Sequence, residues 1–242
     1  MGHQEFATTA RARRHRPGKR FVCALVLGLS VAVLAVRPAQ AIPCPGEDAP
    51  VRVELTTRFD TARVDHSRGR DAINAMFAEQ RGKATIPQNG GAVGLTVTRS
   101  GFSFSTRTEI FRRRDGALCV YLRGVEAAMN QVDTVVYIAR EYPKGSCNYR
   151  AIYEHEKMHV GVYYFTQKDY APRVERELER LVRYVNPRVV RNRAEAREVH
   201  VEMINEGVAH VLEDMEAERR RRNAALDTPE NYARERAKCP SW

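Results

Sequence analysis

NYRAIYEHEKMHVGVY, residues 148–163, sets the reading of the whole chain. Ile152, His155, Glu156, His159, Val162 and Tyr163 recur at the i, i+3, i+4, i+7 spacing of one helical face. Two histidines and a glutamate stand in this stripe, although an apolar stripe makes unpaired polar groups costly. His155-Glu156-Lys157-Met158-His159 has the form H-E-x-x-H. Histidines four apart stack on one face, where both imidazoles can bind a single zinc ion. The adjacent glutamate is then placed to act as general base toward a water. Such a pentapeptide arises by chance in about one or two per cent of chains this long, so its surroundings must carry the rest.

Downstream, Arg173 to Val185 reads as a second helix, and Asn186-Pro187 ends it. A long helix then spans about Val189 to Arg222, with Val199, Met203, Val208, Val211, Leu212 and Met215 inward. Asp227-Thr228-Pro229 opens a short last helix, with Pro229 at the favoured first position. Upstream, the period is two. Val51–Leu55 alternates, a helix carries Ala72, Ile73, Met76 and Phe77, and residues 80–92 form a loop. Residues 93–98 and 102–110 read as strands around a Ser100-Gly101 turn. Asp115-Gly116 makes a hairpin into Leu118, Val120 and Leu122, and Thr134 to Ala139 is a last strand. The expected fold is α+β: a small antiparallel sheet packed on the motif helix and a long helical hairpin, zincin-like in plan.

Residues 1–41 place the protein outside the cytoplasm. Six basic residues before position 21 precede the apolar run Phe21 to Val36 and the small-residue end Ala39-Gln40-Ala41. That is the layout of a cleaved secretory signal, and 16 apolar residues fall short of a membrane span. Residues 42–242 form one domain. The chain has 40 Lys+Arg and 30 Asp+Glu, of which residues 1–41 hold seven and one, leaving 33 against 29. This mild excess does not suggest a nucleic-acid partner, and no membrane partner is expected once the signal is removed, since no other stretch is apolar enough to span one. Cys44, Cys119, Cys147 and Cys239 remain, an even number that favours two disulfides in an oxidising secreted or periplasmic setting, with three pairings open.

A catalytic zinc site needs a third protein ligand. Phe165 stands where the longer H-E-x-x-H-x-x-G-x-x-H form has its third histidine. If Asn186-Pro187 turns an antiparallel hairpin, residues near 210–214 return beside His159, which favours His210. Glu179, His200 and C-terminal acids such as Asp214 or Glu235 are the alternatives. Glu154 could orient a ligand imidazole, Tyr163 could donate to an oxyanion, and His66 reads as a residue near a helix cap.

The strand-helix-strand order, the Val135-Val-Tyr-Ile-Ala139 strand and the H-E-x-x-H helix before a helical hairpin resemble a family of exported bacterial zinc-dependent proteases of uncharacterised function. Such families often place a further His in a D-x-x-T-x-H-like stretch, and this chain has Asp227-Thr228-Pro229-Glu230 there without one. The expected function is a secreted or periplasmic zinc metallopeptidase, an endopeptidase. His155, His159 and His210 bind Zn2+, Glu156 is the base, and a polypeptide substrate is held as an added strand along the sheet edge. The alternative is a non-catalytic envelope protein that binds a partner. Oligomeric state leaves no mark in the sequence.

Overall fold

In chain order the elements are β1 (Arg52–Phe59), β2 (Arg63–Asp65), α1 (Arg70–Arg81), β3 (Gly94–Arg112), β4 (Leu118–Ile138), α2 (Cys147–Val182), β5 (Arg188–Val190), α3 (Arg193–Leu226) and α4 (Pro229–Arg236). A computed structural model describes residues 42–46, 49–81 and 91–242. The expected signal peptide lies outside the described residues, as does most of the loop expected over 80–92. Residues Ala41–Trp242 form one compact unit.

β4 organises the sheet, because every other strand pairs with it. The Asp115-Gly116 hairpin forms as expected and joins β3 to β4 in a ladder from Arg112↔Leu118 to Gly94↔Ile138. The remainder corrects the antiparallel expectation: the sheet is mixed. β1 and β2 run parallel to β4, whereas β3 and β5 run antiparallel to it. Parallel neighbours need a crossover, and α1 and β3 lie in the chain between β2 and β4. Ser100-Gly101 makes no turn, since Gly101 pairs with Asn130 inside the ladder.

The core lies between this sheet and the helices. Leu122, Val125, Ala127 and Met129 of β4 cluster with Tyr170, Val174 and Leu178 of α2 and Ile204, Val208 and Met215 of α3. The two helices expected on either side of Pro172 are one, α2, 36 residues long. Pro172 is exposed, so its missing N–H costs a hydrogen bond only on the solvent side. α2 and α3 approach closely at Gly207, where a Cβ would stand 2.4 Å from a Leu181 methyl. Their connection is longer than Asn186-Pro187 alone implies. Residues 188–190 join the sheet as β5, and α3 begins only at Arg193, where Asn192 Oδ1 accepts from the Glu195 amide.

Two disulfides staple the unit, Cys44–Cys119 and Cys147–Cys239, resolving the three open pairings. They suit an oxidising compartment. The second closes a 92-residue separation, bringing the end of the chain back to the start of α2. No helix among the described residues is long and apolar enough to cross a membrane.

Candidate metal centre

α2 starts where Ser146 Oγ accepts from the Tyr149 amide, and two turns later it presents the H-E-x-x-H face inward. His155, Glu156 and His159 are buried at 7, 5 and 8 % exposure. Their Nε2 atoms make His155 and His159 a pair, 3.2 Å apart. Asp227, in the turn between α3 and α4, completes a triangle: its Oδ1 is 3.4 Å from His155 Nε2 and 3.2 Å from His159 Nε2. Ligand atoms around a tetrahedral ion with bonds of about 2.0–2.1 Å stand about 3.3–3.4 Å from one another. Three donor atoms therefore already sit at the spacing that one small cation requires. His155, His159 and Asp227 could hold a metal ion.

The electrostatics agree. Burial would raise the Asp227 carboxyl, yet hydrogen bonds from His155 and His159 and the charge of His159 hold it well below the usual carboxylate range. Burial opposes a charge on His159 too, but the Asp227 hydrogen bond and the Glu156 and Asp227 carboxylates push it up to about 9. Both shifts describe a pocket that stabilises positive charge where the three donors meet, and a divalent cation satisfies that demand as well as a proton does.

Neighbouring residues fix the donors. His159 Nδ1 lies 2.8 Å from Asn223 Oδ1, so Nδ1 holds its proton there, and Nε2, which otherwise donates to Asp227, is the nitrogen that would release its proton to bind a cation. The Tyr232 hydroxyl donates to Asp227 Oδ1 at 2.7 Å, and its ring leans on His155 with centroids 5.4 Å apart. α4, which carries Tyr232, is tied to the N-terminus of α2 through Cys239 and Cys147.

Glu156 points to the sheet. Thr96 Oγ1 on β3 lies 2.8 Å from Glu156 Oε2 and 3.0 Å from the Glu156 carbonyl. β3 comes this close because residue 94 is glycine: a Cβ there would stand 2.6 Å from Glu156 Oε1 and from an Ile152 methyl. Burial raises the Glu156 carboxyl, against the pull of His159 and the Thr96 hydrogen bond.

The third-ligand expectation needs correction. His210 is exposed and lies near Glu177, 18 residues along α2 from His159. At 1.5 Å per residue that is about 27 Å away. Residue 223, not 210–214, stands opposite His159, because residues 183–192 form an extended connection that includes β5. Glu179 and Asp214 are exposed, and Glu235 pairs with Lys238. His200 is buried in the opposite half of the hairpin from the centre. Glu154 faces solvent and pairs with Lys157, while Tyr163 lies under the Arg219 guanidinium, 5.5 Å from its ring. His66 Nε2 meets the Tyr142 carbonyl at 2.8 Å.

In the sequence Asp227 is legible as the residue ahead of a Thr-Pro helix start and as the first of the Asp227-Thr228-Pro229-Glu230 stretch, read there for its missing histidine rather than for its carboxylate. A correct register for the hairpin is the signal that would have found it. Comparison of the chain with family models, with curated proteins and with solved structures finds no match.

Proposed function

We propose that this protein is an exported zinc-dependent metallopeptidase, its ion held by His155, His159 and Asp227. The observation that carries the proposal is the convergence of these three donors beside a buried glutamate. Two imidazoles and one carboxylate form a familiar catalytic zinc set, and the glutamate of H-E-x-x-H is its usual companion. When bound, zinc supplies Lewis acidity that polarises a scissile carbonyl and makes water more acidic.

The chain's own groups do the rest. Glu156 takes a proton from water and passes it to the departing amine. Thr96 fixes Oε2, which leaves Oε1 to carry that proton. Burial raises the affinity of this carboxyl for protons, as suits a group that accepts one from water. Asn223 keeps the His159 ring in its binding tautomer. The disulfides accord with delivery outside the cytoplasm by the signal at residues 1–41.

The test is Glu156→Gln, which keeps size and hydrogen bonding but removes the base. Metal analysis is expected to find one zinc per chain in both proteins. Hydrolysis of an unstructured polypeptide is expected to drop by about 10²–10⁴-fold in the variant. His155→Ala is expected to lose zinc and activity together. Iron in place of zinc would redirect the reading to oxidative chemistry, which the same donor set also serves. Zinc binding by a wild-type chain that cleaves no member of a broad peptide library would favour the partner-binding alternative.

A further inference from the structure

The mild positive charge of residues 42–242 is unevenly placed. Leu118↔Val190 and Val120↔Arg188 pair β4 with β5, and Arg112↔Leu118 pairs β3 with β4. Two segments remote in sequence, 107–123 and 183–198, thus form one end of the molecule. Each holds five arginines and two acids, so the two segments together carry +6. Residues 42–242 together carry 33 − 29 = +4, which leaves −2 for everything else.

The acids here do little to cancel this charge. Asp115 pairs with Arg113 and Glu109 with Arg123. Arg114, Arg188, Arg191, Arg193 and Arg197 are exposed, with no ion-pair partner among the described residues. Three large apolar side chains are exposed in these segments, and the two most exposed are Tyr184, at 80 % beside Arg183, and Val189, at 51 % next to Arg188, with Ile110 of β3 the third.

We propose that this end docks on an anionic lipid surface. Arginines without partners attract lipid phosphates across a Debye length, and each one near the surface strengthens binding about fivefold. A bare polyanion has no use for exposed Tyr184 and Val189, whereas a lipid interface accepts an aromatic ring and an aliphatic side chain between the charges. The expectation of no membrane partner rests on the lack of a second apolar stretch, a criterion blind to a basic surface that only strand pairing assembles. α2 is continuous from His155 to Val182, so the metal centre lies about 40 Å along this helix from the docking end. The peptidase proposal is independent of this one, since lipid binding needs neither metal nor Glu156.

The experiment is flotation of residues 42–242 with vesicles of phosphatidylglycerol in phosphatidylcholine, against vesicles of phosphatidylcholine alone. Binding to the anionic vesicles only, falling steeply with added salt, is expected. Arg114→Glu, Arg188→Glu and Arg193→Glu combined is expected to weaken it at least about 100-fold. Circular dichroism and metal content confirm that the variant folds. Tyr184→Ser with Val189→Ser keeps every charge and is expected to weaken binding several-fold. No flotation with anionic vesicles, or flotation unaffected by the charge reversal, overturns the proposal. So does equal binding to soluble polyphosphate that the Tyr184 and Val189 changes leave untouched, which would mark a polyanion site instead.

Discussion

His159 and His200 are both buried histidines on the same helical hairpin, yet their surroundings drive them in opposite directions. His159 has Asn223 on one ring nitrogen and Asp227 on the other, and is pushed up to about 9. His200 is 1 % exposed, and its ring nitrogens have no well-formed hydrogen bond, only the approach of the Val185 carbonyl. Burial, reinforced by the charge of Arg188, pushes it down to about 4, and the Val185 carbonyl offsets only part of this. A histidine on an apolar helix face therefore says nothing by itself about a site. What distinguishes the two is a carboxylate delivered from elsewhere in the chain.

The largest effect should come from removing that carboxylate. Asp227→Ala takes away one of the three proposed ligands and is expected to weaken zinc binding at least about 10³-fold, comparably to His159→Ala. His210→Ala, near Glu177, is expected to leave it unchanged. Competition against a fluorescent chelator measures all three. Loss of zinc affinity in His210→Ala, with none in Asp227→Ala, would undo the hairpin register on which the centre depends.

His200 provides the converse test. Its pKa is depressed in the folded state, so between about pH 6.5 and 4 the unfolded chain binds more protons. Its contribution to stability is therefore complete above the unfolded pKa and is lost as pH falls toward 4. A shift from 6.5 to about 4 corresponds to at most about 3 kcal/mol, less where the hairpin end opens locally to admit the proton. His200→Leu has nothing to protonate and no unsatisfied nitrogen. Urea unfolding across this range should show the wild type losing stability relative to His200→Leu, and parallel curves would mean that His200 is solvated.

Much of the centre's near half was readable from spacing alone. His155, Glu156 and His159 share a face because a helix repeats every 3.6 residues, a local rule that tertiary packing did not override. The hairpin at Asp115-Gly116 was legible for the same reason: turn chemistry is local. Parallel pairing of β1 with β4 was not, since it depends on a crossover rather than on either strand's pattern. The far half of the centre failed through one misplaced element. Val189 reads equally well as the first residue of a helix, but it belongs to β5, and that strand moves α3 along α2 by about ten residues. Asp227, whose stretch Asp227-Thr228-Pro229-Glu230 is read for the histidine it lacks rather than for its carboxylate, then arrives where His210 was expected. The basic end escaped for a related reason, because its two halves meet only through β4–β5 pairing.

The smallest effect concerns the group that tells His159 which nitrogen to offer. Asn223 Oδ1 accepts from Nδ1–H and touches no ligand atom of the cluster other than through that ring. Asn223→Ala removes the acceptor and leaves a buried N–H unpaired, so the ring can turn or change tautomer and present Nδ1 instead of Nε2. Outer partners of this kind typically control about 10–100-fold in metal affinity. Asn223→Ala is expected to fall in that range, well short of Asp227→Ala. Asn223→Asp separates orientation from simple packing. It restores the acceptor with a negative charge, raises the basicity of the ring and should hold zinc at least as tightly as the wild type. If Asn223→Asp binds as poorly as Asn223→Ala, then Asn223 only fills space between α2 and α3. The difference between His159 and His200 would in that case rest on Asp227 alone.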